Sequence, residues 1–250
     1  GFDLVTVMDH FYQIAIVAPE TEPMLEAYAT LAALAQVTSR VRLGTLVSGV
    51  TYRNPALLAK SVTTLDTISR GRAVLGIGAA WNDAEHVGYG YEFPPIGERM
   101  DRLGEALAIA RRMFTEERPS YSGRYYRIER ALNVPRPLQT GGPKILVGGG
   151  GEQRTLRLAA EYADLTHWFV ASPEEFTRKL GVLGFVDRRI LELHLFERLD
   201  DCADDDQARK PFVVGRHDEP RRARSCGRAD GSLVSVHVLV PVGAFLDVCC

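Results

Sequence analysis

"VRLGTLVSGVTYRNPALLAKSVTTLDTISRGRAVLGIG", residues 41–78, sets two apolar runs on either side of an amphipathic segment. The runs 41–50 and 73–78 are rich in β-branched and aliphatic residues and read as strands. Between them, Asn54-Pro55 supplies an N-cap and then a proline at the first helical position, where a missing N–H is harmless. Leu58, Val62 and Leu65 follow on one helical face, and the helix is expected to stop near Gly71. Near-continuous apolar strands joined by a helix predict a parallel sheet covered by helices.

The same alternation extends in both directions. "LVTVM", residues 4–8, reads as a strand ending at Asp9-His10, and a helix is expected after it with Met24, Tyr28, Leu31 and Ala35 on one face. Beyond residue 78 a long helix carries Met100, Leu103, Leu107, Ala110 and Phe114 on one stripe. "YSGRYYRI" (121–128) reads as a small hairpin or an extended insertion over the surface. "KILVG" (144–148) is the next strand, its helix expected from about Gln153 to Tyr162, and "LTHWF" (165–169) follows. This pattern predicts an α/β protein with a parallel sheet. An open doubly wound sheet and a (β/α)8 TIM barrel both satisfy it, and both place their chemistry at the carboxyl ends of the strands. The residues to inspect are therefore Asp9-His10, Leu46 to Gly49, Gly78 to Trp81, Gly148 to Gly151, and Trp168.

Bulk properties exclude several functions. Net charge is −2 over 250 residues, with 25% charged and 46% apolar, so nothing points to nucleic acid or an anionic membrane as partner. No run of 18 apolar residues offers a transmembrane helix. Cysteine is confined to Cys202, Cys226, Cys249 and Cys250, so the first 201 residues carry no disulfide framework, which fits a reducing cytoplasm. No signal peptide is visible, although the chain starts at Gly1 and an upstream segment is compatible with that. Among His, Cys and Glu no cluster has metal-ligand spacing, so no metal is expected, and there is no G-x-S-x-G elbow.

Four consecutive glycines, Gly148 to Gly151, close the strand "KILVG". They match neither a Rossmann turn nor a P-loop, because Gln153 and Arg154 occupy positions those patterns reserve. "GIGAAW" (76–81) likewise has Trp81 where a third glycine belongs. Bare backbone leading into a helix N-terminus can cradle an anion, with Arg154 and Thr155 as side-chain donors. A tight, close-packed turn without ligand explains the run equally well. His10 is a candidate proton carrier near neutral pH, against the plainer reading of a histidine satisfied by local backbone. Trp81 and Trp168 are candidate walls of a flat-ligand pocket or simple packing residues.

As an ordered series, "GFDLVTVMDHF", "RVRLGTLVSGVTYRNPALLAK", "TLDTISRGRAVLGIGAAW", "YGYEFPPIGERMDRLGEAL" and "PKILVGGGGEQRTLRLAAEYAD" resembles the luciferase-like monooxygenase family. The likeness covers residues 1–179 and is greatest to the branch that uses the deazaflavin coenzyme F420. It implies a (β/α)8 barrel and a metal-free hydride transfer between the cofactor ring and a small organic substrate. It further implies that Asp9 and His10 lie beside the ring, with His10 the catalytic residue. Leu46 and Val47 fall where the family often has a non-proline cis peptide under the ring. Gly78, Ala79 and Trp81 match the segment lining ring and tail. Gly148, Gly149, Gly150 and Gly151, with Arg154 and Thr155, match the loop that holds the phosphate. Dehydrogenase members keep a glutamate near Gly78 to Trp81 where this chain has none, a departure that speaks against a sugar-phosphate substrate. The same fold with FMN, as a monooxygenase, is the alternative, and a non-catalytic flavin-binding relative is a third. Homodimer formation is implied by the resemblance as well.

The chain departs from the family at both ends. A strand and helix are expected before "GFD", and the regular pattern of residues 1–180 gives way to an atypical segment, 181–250. There arginine clusters and cysteine first appears, and the family's last strands cannot be located, although "SLVSVHVLVPVGAFLDVCC" (232–250) is expected to form a strand. Arginine outnumbers lysine 26 to 4, compatible with a GC-rich coding sequence. The segment is expected to reflect a shifted reading frame, with a genuine but divergent tail or a regulatory extension as the alternative. An incomplete barrel would lose several buried aliphatic side chains, each contributing about 1.5–3 kcal/mol, so poor folding or inactivity of this chain is expected as well.

Overall fold

The computed structural model of the protein describes residues 2–15, 17–169, 172–186 and 238–241. Its principal strands are β1 (Leu4–Val7), β2 (Arg42–Thr45), β4 (Ala73–Gly78), β7 (Lys144–Gly148) and β8 (Leu165–Trp168). They lie side by side in chain order and all are parallel. That order decides between the two architectures left open above. A doubly wound sheet reverses its strand order at a switch point, whereas a barrel adds each strand beyond the last. The sheet is an incomplete (β/α)8 barrel. A short β3 (Ser48–Gly49) pairs parallel with β4, and β9 (Val238–Pro241) lies antiparallel on β8.

Helices cover one face of the sheet: α1 (Ala27–Val37), α2 (Pro55–Ser69), α4 (Ile96–Thr115), α5 (Thr155–Tyr162) and α6 (Pro173–Val186). Leu43, Leu75, Ile77, Ile145 and Val147 point from the strands into this layer, where they join Leu31, Leu58, Val62, Leu103, Leu107 and Leu156 in one core. Alternation sends Gly44, Val74, Gly76, Gly78, Leu146 and Gly148 to the opposite, inner face. The stripe predicted on the long helix is buried in full as α4. The expected hairpin at 121–128 forms as β5 (Tyr121–Ser122) with β6 (Arg127–Ile128).

Helix α2 begins as predicted, with the Asn54 side chain accepting the Ala56 N–H at 2.9 Å. It ends at Arg70, in the left-handed region at φ 60°, followed by Gly71. From its last turns, Asp66, fully buried, accepts hydrogen bonds from the Leu138 and Gln139 N–H groups at 2.7 and 3.2 Å and from Gln139 Nε2 at 2.7 Å. This carboxylate ties α2 to the loop that leads into β7.

Several local expectations are corrected. Met24 lies before α1, which starts at Ala27 because the Glu26 carboxylate caps it through the Ala29 N–H. The single strand expected over 41–50 is two, β2 and β3, separated by a cis peptide between Leu46 and Val47. Helix α5 starts at Thr155 rather than Gln153. A short helix, α3 (Asp83–Tyr89), has no counterpart in the apolar pattern of the sequence. Helix α6 continues past residue 180 to Val186, and β9 falls inside the apolar stretch 232–250. The remainder of 181–250, on which the shifted frame and its effect on folding depend, lies outside the described residues.

Candidate functional site

The carboxyl ends of β1, β2, β4 and β7 form one rim, and the residues there divide into two linked groups. The first surrounds His10. Neighbouring residues after a strand diverge, and Asp9 and His10 do so. Asp9, 2% exposed, turns to Arg53, whose Nη2 donates to Oδ1 at 3.0 Å and whose Nη1 also bonds the carboxylate. Arg53 continues to Glu26 at 2.7 Å and lies over the Tyr28 ring. Burial alone would lower the Arg53 pKa, but these carboxylates raise it, and the guanidinium stays charged.

His10 instead meets Glu85, on α3, with Nδ1 2.7 Å from Oε2. Glu85 is completely buried and also accepts the Phe11 N–H at 2.7 Å and the Tyr52 hydroxyl at 2.9 Å. Burial pushes its carboxyl pKa up, but the hydrogen bonds from His10, Phe11 and Tyr52 outweigh that and leave it below the ordinary value. Such a group adds stability that is fully present above the usual glutamate range, around pH 4.3, and lost as pH falls through the lowered native value. Glu85→Gln should remove this part of the acid-side decline, which denaturant melts at neutral pH and near pH 4 would reveal as a smaller difference than in the wild type. Trp81, 61% exposed, meets the imidazole edge-on at 5.5 Å between ring centroids. Helix α3 is anchored by His86, which contacts the Asn82 carbonyl at 2.6 Å and Thr51 Oγ1 at 2.7 Å.

The second group is built around the Leu46-Val47 segment. Thr45 Oγ1 donates to the Gly76 carbonyl at 2.8 Å, Ser48 bonds Thr45 and Tyr28, and the Leu46 N–H donates to the Val7 carbonyl at 2.9 Å. These contacts lay Val47 across Gly78 and Gly148: a Cβ added at either glycine would come within 2.9 Å of a Val47 methyl. Ala79 and Ala80 present their carbonyls to the buried Arg99, and Ala80 takes φ 62°. Sequence reasoning overlooked Arg99, because an arginine early in a helix reads as a surface residue.

Beyond Gly148 the chain turns through Gly149, at φ 121°, whose N–H donates to the His167 carbonyl at 2.8 Å. The N–H groups of Gly150 and Gly151 have no partner among the described residues. Thr155, buried at the start of α5, points its hydroxyl at Gly151, where a Cβ would lie 2.9 Å from Oγ1. The only hydrogen bond of this hydroxyl among the described residues is a weak one to Met100 Sδ at 3.9 Å. Lys179 reaches in from α6 and donates to the Gly150 carbonyl at 2.6 Å; nothing in "SPEEFTRKL" marks it out. Free backbone donors, a hydroxyl and a lysine at a helix N-terminus suit a phosphate. Arg154 turns the other way. It pairs with Asp101 and donates to the Gly97 carbonyl at 3.0 Å, lining a cleft of about 510 Å³ between α4, α5 and the hairpin. That cleft includes neither His10 nor Val47. Trp168 is a core residue, packed near Phe176 of α6.

Among the described residues no three His, Cys, Asp or Glu side chains could hold a metal ion, and no helix is long and apolar enough to cross a membrane. The luciferase-like monooxygenase family matches residues 1–181. The F420-dependent glucose-6-phosphate dehydrogenase of Intrasporangium calvum is 39% identical over 166 residues, covering 65% of this chain and 47% of that protein. The enzyme of the same name from Nocardia farcinica is 36% identical over 168 residues, covering 65% and 46%. The chain thus spans about half the length of these relatives. Among solved structures, an F420-dependent secondary alcohol dehydrogenase in complex with an F420-acetone adduct superposes with a TM-score of 0.62 at 25% identity, covering 74% of this chain and 57% of the other. The monooxygenase RslO1 from Streptomyces bottropensis gives 0.56 at 27% identity, covering 64% and 48%. With more than two thirds of its length matched in sequence and its strands in barrel order, the chain belongs to the luciferase-like monooxygenase family.

Proposed function

We propose that the protein is an F420-dependent oxidoreductase acting on a small organic substrate. One observation carries this reading: the unpaired N–H groups of Gly150 and Gly151, beside the Thr155 hydroxyl, form a donor set suited to a cofactor phosphate at the same rim as His10. Each hydrogen bond to a charged oxygen there is worth about 1.5–3 kcal/mol. F420, when bound, supplies or accepts the hydride. The chain's own residues do the rest. Val47 and the bare backbone of Gly78 and Gly148 offer a flat, uncharged support, and Leu46 to Val47 with Ala79 border it. His10 exchanges a proton with the substrate at the rim, while Trp81 shields it on one side. Asp9 fixes the first strand's end through Arg53. Arg154 faces the outer cleft, so its contribution to an anion at the glycine loop would require it to leave Asp101.

The relatives named for F420 favour this cofactor over FMN. Titrating the full chain with F420 and with FMN, followed by cofactor fluorescence, tests the choice. F420 is expected to bind at least about tenfold tighter, a difference of roughly 1.4 kcal/mol. Tighter FMN binding would replace this reading with that of an FMN-dependent monooxygenase, and no binding of either would leave a non-catalytic relative.

A further inference from the structure

Glu85 does more than fill space behind His10. We propose that it selects which imidazole nitrogen carries the proton, holding neutral His10 as the Nδ1–H form so that Nε2 is the atom that takes and returns a proton. The inference rests on the catalytic place given to His10 above, but its chemistry is independent of any cofactor. Glu85 is buried and ringed by three donors: the His10 Nδ1 at 2.7 Å, the Phe11 N–H at 2.7 Å and the Tyr52 hydroxyl at 2.9 Å. An ionised carboxylate accepts only. The Phe11 amide always donates. Tyr52 keeps its proton, because burial and the Glu85 charge raise its phenol pKa. Nδ1 must therefore be the donor on its side of the ring.

The other nitrogen is free for chemistry. Nε2 makes no hydrogen bond among the described residues, and the His10 side chain keeps 11% of its surface exposed at the rim. The Glu85 bond holds one side of the ring and Trp81 meets it edge-on at 5.5 Å between centroids, leaving Nε2 on the side away from Glu85. Asp9, the acidic neighbour in sequence, does not compete for the imidazole, since Arg53 holds both of its oxygens.

A single substitution should reverse the arrangement. In Glu85→Gln, the amide oxygen is claimed by the fixed Phe11 N–H, which turns the amide NH2 toward His10. The NH2 group can only donate, so Nδ1 must become the acceptor and the hydrogen moves to Nε2. Tyr52→Phe removes one donor from the same carboxylate yet leaves its acceptor character intact, and should leave the His10 tautomer as it was.

The test is long-range proton–nitrogen NMR on the full chain labelled with ¹⁵N-histidine, without cofactor, at a pH where His10 is neutral. Comparison with His10→Asn identifies the His10 signals. The wild type and Tyr52→Phe are expected to show a protonated Nδ1 and a bare Nε2, and Glu85→Gln the exchanged pair. In turnover assays Glu85→Gln should lower kcat by about a hundredfold, within the range for general acid–base groups, with cofactor affinity unchanged. A wild-type spectrum with hydrogen on Nε2 would overturn the proposal even if the glutamine variant failed to fold. So would a folded Glu85→Gln protein whose His10 tautomer stays the same. If F420 does not bind but the tautomers behave as stated, the cofactor reading fails and the role of Glu85 stands.

Discussion

His10→Ala should lower F420-linked turnover by about 10²–10⁴-fold, the usual contribution of a positioned acid or base, while leaving cofactor affinity and fold in place. Among the described residues the imidazole is tied to the protein by one hydrogen bond, to Glu85, and Glu85 keeps two other donors when that bond is deleted. The free N–H groups of Gly150 and Gly151 sit at the end of a different strand and do not depend on it. Steady-state kinetics with a panel of alcohols and sugar phosphates, together with F420 titration, would check this. Turnover retained within a few-fold would remove His10 from the chemistry. Loss of cofactor binding would make it a structural residue of the rim.

Asp66→Ala carries the largest expected cost in stability, about 3–5 kcal/mol, because it leaves several donors that converge on a fully buried carboxylate without their acceptor. The two backbone N–H groups of Leu138 and Gln139 and the Gln139 amide all converge on this one carboxylate. Asp66 is fully buried in the last turns of α2, so its carboxylate oxygens are held where these donors meet. Denaturant unfolding should show a lower midpoint with unchanged slope, and thermal unfolding a fall of roughly 10 °C. Asp66→Asn keeps one acceptor oxygen and should recover part of the loss. If Asp66→Ala unfolded within about 1 kcal/mol of the wild type, the loop before β7 would have to find its hydrogen bonds elsewhere.

The fold was legible where one segment carried two agreeing signals. Asn54-Pro55 and the Leu58, Val62, Leu65 stripe together fixed α2, and the apolar runs fixed β4 and β7. Helix α3 gave no such sign, because its buried residues are Glu85 and His86, both polar, and an apolar stripe is what periodicity detects. The site was legible as a set of strand ends but not as a set of partners. His10 and Glu85 stand 75 positions apart, and Asp9 and Arg53 are 44 apart, so no local pattern could join them. Composition located the glycine run, yet which of its N–H groups remain free depends on the His167 carbonyl from the next strand. The cis peptide at Leu46-Val47 followed from family likeness alone, since no residue type announces a non-proline cis bond. Trp168 shows the limit of reading a strand end by residue type: its side chain went to the helix layer, beside Phe176, and not to the rim.

Val47 resting on Gly78 and Gly148 ties the history of three positions together. A methyl group at 78 or 148 would collide with the valine, so alanine is admissible at either place only on a background where residue 47 has already become smaller. A lineage exploring a different floor for this barrel meets less strain if residue 47 changes first, so the order of substitutions, and not merely their sum, bears on the stability of its descendants.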